Sequence, residues 1–128
     1  MVTGVSRGLG YHITKLLLKS GYYVYGLSRN KTDYLESIQS EYPESFYWRS
    51  FDLSDSDGVK DKIFRDMIGF NTPLYGFVNN AALAYDDIIT NLDVRQLEYM
   101  YKVNVFTPMN ITKYAIRHML LHNIQGSI

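Results

Sequence analysis

Val2-Thr3-Gly4-Val5-Ser6-Arg7-Gly8-Leu9-Gly10 is the stretch that decides the fold. A short apolar run (Met1, Val2) meets three glycines, and a helical pattern follows at once. Strand, glycine-rich turn and helix together make a cradle for a nucleotide pyrophosphate. Residues without a Cβ let backbone amides approach the phosphate oxygens, and the helix aims its unsatisfied N–H groups and positive dipole end at the same point. The spacing, Gly4-x-x-x-Gly8-x-Gly10, differs from the G-x-G-x-x-G fingerprint, so the strand before and the helix after carry the reading.

Outward from that turn, hydrophobicity alternates between strand-like and helical patterns. Leu9, Ile13, Leu16 and Leu17 fall at helical spacing, with Gly21 as a C-terminal stop. Tyr22–Leu27 is β-branched and aromatic and reads as a buried strand, closed by Ser28-Arg29-Asn30. Lys31–Glu41 is a short amphipathic helix around Leu35 and Ile38, ended by Tyr42-Pro43. Ser45–Phe51 is the next strand. A polar loop, Asp52-Leu53-Ser54-Asp55-Ser56-Asp57, then opens a helix with i,i+4 rows at Val59, Ile63, Met67 and at Phe64, Ile68. Gly69 and Asn71-Thr72-Pro73 stop it. Leu74–Val78 is a further complete strand, turning at Asn79-Asn80-Ala81-Ala82. Thr90-Asn91-Leu92-Asp93 resembles a capping box before a long helix through Leu97, Tyr101, Val105, Ile111, Ala115 and Met119, which Pro108 should kink or divide. Ser127-Ile128 looks like the opening of one more strand. Strands alternating with helices predict an α/β fold with a doubly wound parallel sheet and helices on both faces.

The totals narrow the function. A chain of 128 residues that is 46% hydrophobic and 20% charged suits one globular domain. Lys+Arg and Asp+Glu are both 13, so no overall basic field points to nucleic acid or an anionic membrane. The sequence has no cysteine, which excludes disulfides and cysteine-ligated zinc and fits a reducing, cytoplasmic setting. No apolar run approaches a membrane span, and no metal-ligand cluster is expected.

Three places beyond the glycine turn invite a chemical reading. The strand ending at Ser28-Arg29 has no acid until Asp33. An acid there would bind a ribose 2′-hydroxyl, whereas arginine pairs with a 2′-phosphate; Arg29, with Arg7 from the glycine loop, favours NADP over NAD. Asp52, just past a strand, could accept from an adenine amino group or could be a helix N-terminal acid. Asn79-Asn80 at a strand's C-terminal end suits turn-making or ligand contact.

Thr3-Gly4-x-x-x-Gly8-x-Gly10, Asp52-Leu53, Asn79-Asn80-Ala81-Ala82 and Asn104, in this order and at these intervals, resemble the short-chain dehydrogenase/reductase family over the whole chain. The resemblance implies a Rossmann fold, and residues 1–128 as an NAD(P)-binding domain truncated after the start of its fifth strand. It implies that Thr3 and Gly4–Gly10 form the pyrophosphate site, with contacts from Ser6 and Leu9. Arg7 and Arg29 match basic positions of NADP-using members, beside Ser28. Asp52 and Leu53 would flank adenine. Asn80 and Ala81 would lie beside the nicotinamide ribose while Asn79 braces the sheet. Asn104 matches the asparagine of the catalytic tetrad, and Ala82 stands where glycine is usual.

The family's chemistry also calls for a serine and a Tyr-x-x-x-Lys pair on a later strand and helix. The Tyr11-His12-Ile13-Thr14-Lys15 run is a decoy, because it directly follows the phosphate-binding turn. The chain is therefore expected to be the cofactor-binding half of an NADP-dependent oxidoreductase, inactive alone. Such an enzyme would act on a ketone or secondary alcohol in the manner of 3-oxoacyl-acyl-carrier-protein reductases, and would pair as a homodimer or homotetramer when full length. The rival expectations are a non-catalytic nucleotide-binding member and an extended-branch sugar-nucleotide epimerase, whose glycine spacing differs.

Overall fold

The computed structural model describes residues 1–128. Its elements run β1 (Val2–Thr3), α1 (Gly8–Lys19), β2 (Val24–Ser28), α2 (Asp33–Glu41), β3 (Phe46–Ser50), α3 (Val59–Ile68), α4 (Val94–Tyr101) and α5 (Thr107–Leu121). β1 pairs parallel with β2 (Val2 opposite Gly26), and β2 with β3 (Val24 opposite Phe46). On the other side of β1, Val2 bridges Val78, and Gly76 bridges Ser127, both in parallel. The order across the sheet is therefore β3, β2, β1, the 76–78 segment and Ser127. It reverses at β1, the place where open α/β sheets put their ligand crevice.

Alternation along the strands sends neighbours to opposite faces, and each face has its own core. Val2, Val5, Val24 and Phe46 pack with Leu18, Leu35 and Ile38 under α1 and α2. Met1, Leu27 and Phe77 pack with Val59, Ile63, Phe64, Ile111 and Ala115 under α3 and α5. Burial of both faces suits the apolar stretch of β2, whereas the edge strand β3 carries exposed Tyr47 and Ser50.

Four sequence expectations are corrected. The 74–78 strand is not a full ladder. Its bonds are Thr3 N–H to Val78 O (3.1 Å), Val78 N–H to Met1 O (2.8 Å) and Phe77 N–H to Ser127 O (3.0 Å). A ladder is no longer than its partners, which are Met1–Thr3 on one side and Ser127 on the other. The buried face of α1 is also shifted from the expected Leu9/Ile13/Leu16/Leu17: Gly10, Thr14 and Leu18 are buried, Ile13 and Leu17 pack half-buried against the core, and Leu9 and Leu16 are 68% and 66% exposed. Gly10 sets this rotation, because a Cβ there would lie 2.2 Å from the Gly4 carbonyl oxygen. Only glycine can take that contact, and positions four and eight residues on follow it inward.

The long helix starts later than its capping box suggested. Asp93, not Thr90, is the N-cap, accepting from Arg95 N–H at 2.9 Å. Pro108 does divide this helix. Lys102–Phe106 is wound as a wider π turn before α5, with Pro108 in α5's first turn. Pro108 has no N–H to donate to the carbonyl four residues back, that of Asn104, so regular α winding is interrupted there. The fourth correction is α3, which is π-wound over Val59–Ile68. Its buried side chains pair at five-residue intervals, Val59 with Phe64 and Ile63 with Ile68, and Met67 is only half-buried.

Candidate cofactor site

The C-terminal ends of β1, β2 and β3 and of the 76–78 segment open into one cleft of about 330 Å³. It is lined by Gly4, Ser6, Arg7 and Gly8 from the turn, and by Leu27, Ser28 and Arg29 from the end of β2. Phe51, Asp52 and Leu53 follow β3, Asn80–Leu83 follow the 76–78 segment, and Tyr99 and Val103 come from the α4 side.

The turn is held from behind. Gly4 and Gly8 have φ of 72° and 57°, the left-handed region that disfavours side chains. Thr3 Oγ1 accepts from both Asn80 N–H and Ala81 N–H at 3.1 Å. Asn80 Nδ2 donates to the Thr3 carbonyl at 2.9 Å and to the Gly4 carbonyl at 3.3 Å. Asn80 is thus the side chain that ties the sheet to the turn, and Asn79, expected as the brace, is exposed. This bracing by Asn80 follows from the chain's course. Val78 is the last residue in backbone-to-backbone pairing with β1, so the next residue turns outward and the one after it comes back beneath Gly4. Thr32 Oγ1 donates to the Ser6 carbonyl at 3.1 Å and fixes the outer limb of the turn.

The front of the turn is open. No side chain caps α1, its first turn carries no acid, and a Cβ on Gly8 would meet nothing within 4 Å. Uncapped amides at a helix N-terminus, facing space beside Arg7 and Arg29, match the demands of a phosphate group. The residues present therefore fit a dinucleotide phosphate.

The remaining polar groups divide into held and available. Ser28 Oγ accepts from Trp48 Nε1 (2.8 Å) and donates to the Asn30 carbonyl (3.0 Å), so its proton is committed within the protein. Asp52 Oδ1 accepts from Ser54 N–H at 2.8 Å, an Asx turn, and the side chain is exposed at the cleft. Arg29 Nη1 donates to the Tyr99 hydroxyl at 3.4 Å. Asn104 accepts from Leu83 N–H (2.8 Å) and donates to Leu83 O (2.7 Å), which fixes the loop that forms one cleft wall.

Of the residues expected from the sequence, Gly4, Ser6, Arg7, Gly8, Ser28, Arg29, Asp52, Leu53, Asn80 and Ala81 meet in the cleft. Thr3 and Gly10 lie behind it as supports, Leu9 points away on α1, and Asn104 stands behind Leu83. The sequence reasoning missed Leu27, Phe51, Leu83, Tyr99 and Val103. Leu27 and Phe51 each sit one residue before a recognised polar position, and Tyr99 and Val103 are one helical turn apart. Tyr11 and Lys15 lie on the α1–α2 side. Tyr11 packs on Tyr34 with ring centroids 5.3 Å apart, and Lys15 Nζ is 3.5 Å from Glu41, whose carboxylate raises the lysine pKa.

A sequence profile of the short chain dehydrogenase family matches residues 1–128. NADPH-dependent 3-dehydrocapnine reductase of Ornithobacterium rhinotracheale is 33% identical over 115 residues, 88% of this chain and 40% of that protein. L-xylulose reductase of Caenorhabditis elegans is 27% identical over 128 residues, 100% of this chain and 50% of that protein. A short-chain dehydrogenase from Streptomyces avermitilis superposes with a TM-score of 0.86 at 24% identity, covering 98% of this chain and 47% of that one, a likeness of fold. The chain spans about half the length of the curated relatives it matches.

Proposed function

Because this chain belongs to the short chain dehydrogenase family along residues 1–128, we propose that its cleft holds NADP and serves an oxidoreductase acting on a ketone or secondary alcohol. The observation that carries this reading is the joint lining of one cleft by the open glycine turn, Arg7 and Arg29. In that arrangement the amides at the start of α1 would take the pyrophosphate, and Arg7 would add positive charge on the side of Arg29. Arg29 would take the 2′-phosphate, because the end of β2 offers a guanidinium and no carboxylate. Leu53 and the free oxygen of Asp52 would meet adenine, and Asn80 and Ala81 the nicotinamide ribose. When bound, the nicotinamide supplies or accepts the hydride.

This chain's own contribution is to bind and orient. Asn80 and Thr3 hold the turn in shape, and Asn104 holds the Leu83 wall. The residues lining the cleft include one tyrosine, Tyr99, and no lysine, so the acid–base pair of the family is not assembled among them. On this reading residues 1–128 supply nucleotide binding, and the serine, tyrosine and lysine that the family's chemistry calls for would have to act from outside this set of cleft residues. The names of the two relatives give different substrates. The substrate class we infer, 3-oxoacyl groups on acyl carrier protein or similar ketones, rests on the sequence resemblance. Exposed Val105, Phe106, Met109 and Ile116 along the helix after Asn104 support pairing of full-length copies.

The test compares NADPH and NADH affinities in the wild type and in Arg29→Ala. NADPH should bind the wild type more tightly, and the substitution should weaken NADPH about tenfold or more, from about 1.5–3 kcal/mol for a charge-assisted bond, with little change for NADH. Equal affinities, or an unchanged NADPH affinity in Arg29→Ala, would overturn the NADP assignment.

A further inference from the structure

We propose that Tyr99 is a positioning residue that holds the Arg29 guanidinium over the cleft, so that selection of a 2′-phosphorylated nucleotide depends on the tyrosine hydroxyl. This rests on the NADP reading above.

The backbone around Arg29 is already fixed. Ser50 Oγ donates to the Arg29 carbonyl at 2.6 Å, and Phe51 N–H donates to the Ser28 carbonyl at 3.0 Å. On either side of Arg29, the Trp48–Ser28–Asn30 chain of bonds locks the strand end at 2.8 and 3.0 Å. What freedom remains belongs to the exposed arginine side chain, which is rich in rotamers.

Tyr99 restricts that freedom from the opposite wall. Its half-buried ring packs against the core beneath α3 and α5, so the hydroxyl is presented from a fixed base. Its 3.4 Å contact with Arg29 Nη1 joins residues seventy positions apart and spans the end of β2 and α4. A phenol is a neutral acceptor. It orients the guanidinium without cancelling its charge, as a carboxylate would, and Arg29 forms no salt bridge to any acid. Only one of the five guanidinium N–H donors is occupied, which leaves the others for phosphate oxygens. A side chain held in this way loses less freedom when a phosphate arrives.

Tyr99→Phe removes the hydroxyl and keeps the ring. Titration calorimetry should show NADPH binding weakened about two- to tenfold, the range of one neutral hydrogen bond, with NADH affinity and the melting temperature unchanged. In an Arg29→Ala background the same substitution should change nothing further. Equal weakening of NADPH and NADH would make the hydroxyl a contact to the part of the nucleotide that both cofactors share and overturn the positioning role, as would an effect that persists without Arg29. If Arg29→Ala itself leaves NADPH binding intact, the NADP reading fails. If Arg29→Ala weakens NADPH and Tyr99→Phe does not, the positioning role alone fails.

Discussion

Gly10→Ala separates packing from helix propensity at the point where α1 meets the sheet. An alanine Cβ would lie 2.2 Å from the Gly4 carbonyl oxygen and 2.5 Å from Asn80 Nδ2. The first is a backbone atom and falls short of van der Waals contact by about 1 Å. Neither neighbour yields cheaply, since Gly4 is held at φ 72° and Asn80 Nδ2 already bonds the Thr3 and Gly4 carbonyls. Overpacking costs about 1–3 kcal/mol. Displacing Asn80 removes bonds with a net value of about 0.5–1.5 kcal/mol each. Alanine in a helix returns about 1 kcal/mol. The net loss is about 1–5 kcal/mol, with a central value that lowers the melting temperature by roughly 10 °C for a chain of this size. Gly8→Ala is the paired control. Its Cβ meets nothing, so only the positive φ opposes it, at about 1 kcal/mol. Thermal unfolding followed by circular dichroism should rank wild type above Gly8→Ala above Gly10→Ala. A Gly10→Ala protein as stable as wild type would refute the close-approach account, because propensity alone would then govern the position.

Two further perturbations probe other parts of the molecule. Asn104→Ala leaves the Leu83 N–H and carbonyl without their partners at 2.8 and 2.7 Å, so stability should fall by about 1–3 kcal/mol. Hydrogen exchange should accelerate first around Leu83, and unchanged exchange there would argue against the wall-bracing role. Asp55 has its carboxyl pKa lowered by the Lys62 ammonium and then by Gly58 N–H. A carboxyl with a depressed folded pKa stabilises the fold above its unfolded value and loses that contribution as pH falls through the folded one. Wild-type stability should therefore decline below about pH 4, and Asp55→Asn should flatten part of that decline in urea titrations at successive pH values.

The element order and the glycine turn were legible because each rests on local chemistry: β-branched runs, helical spacing, and glycines where φ is positive. Leu35 and Ile38 on α2 lie in the core as their spacing predicts. The face of α1 was not legible, since Leu9 and Leu16 look like core residues until the approach of Gly10 to Gly4 fixes the helix's rotation. Periodicity rewards large apolar residues, and here the deciding residue has no side chain. The same limit hid the bracing role of Asn80 in place of Asn79, which depends on where backbone pairing with β1 ends. The π winding of α3 also escaped, because Val59, Ile63, Phe64 and Ile68 satisfy four- and five-residue spacing at once. In the cleft, polar residues beside a motif drew notice, while Leu27, Phe51, Tyr99 and Val103 were missed as ordinary apolar positions.

Backbone amide NMR on addition of NADPH tests the phosphate-cradle claim most directly. The account predicts the largest shifts at the N–H groups of Gly8, Leu9 and Gly10 at the start of α1, with smaller ones at Arg29, Asp52 and Ala81. Shifts confined to the opposite end of the sheet, around Tyr22 and Tyr75, with the three glycine-turn amides unmoved, would contradict it.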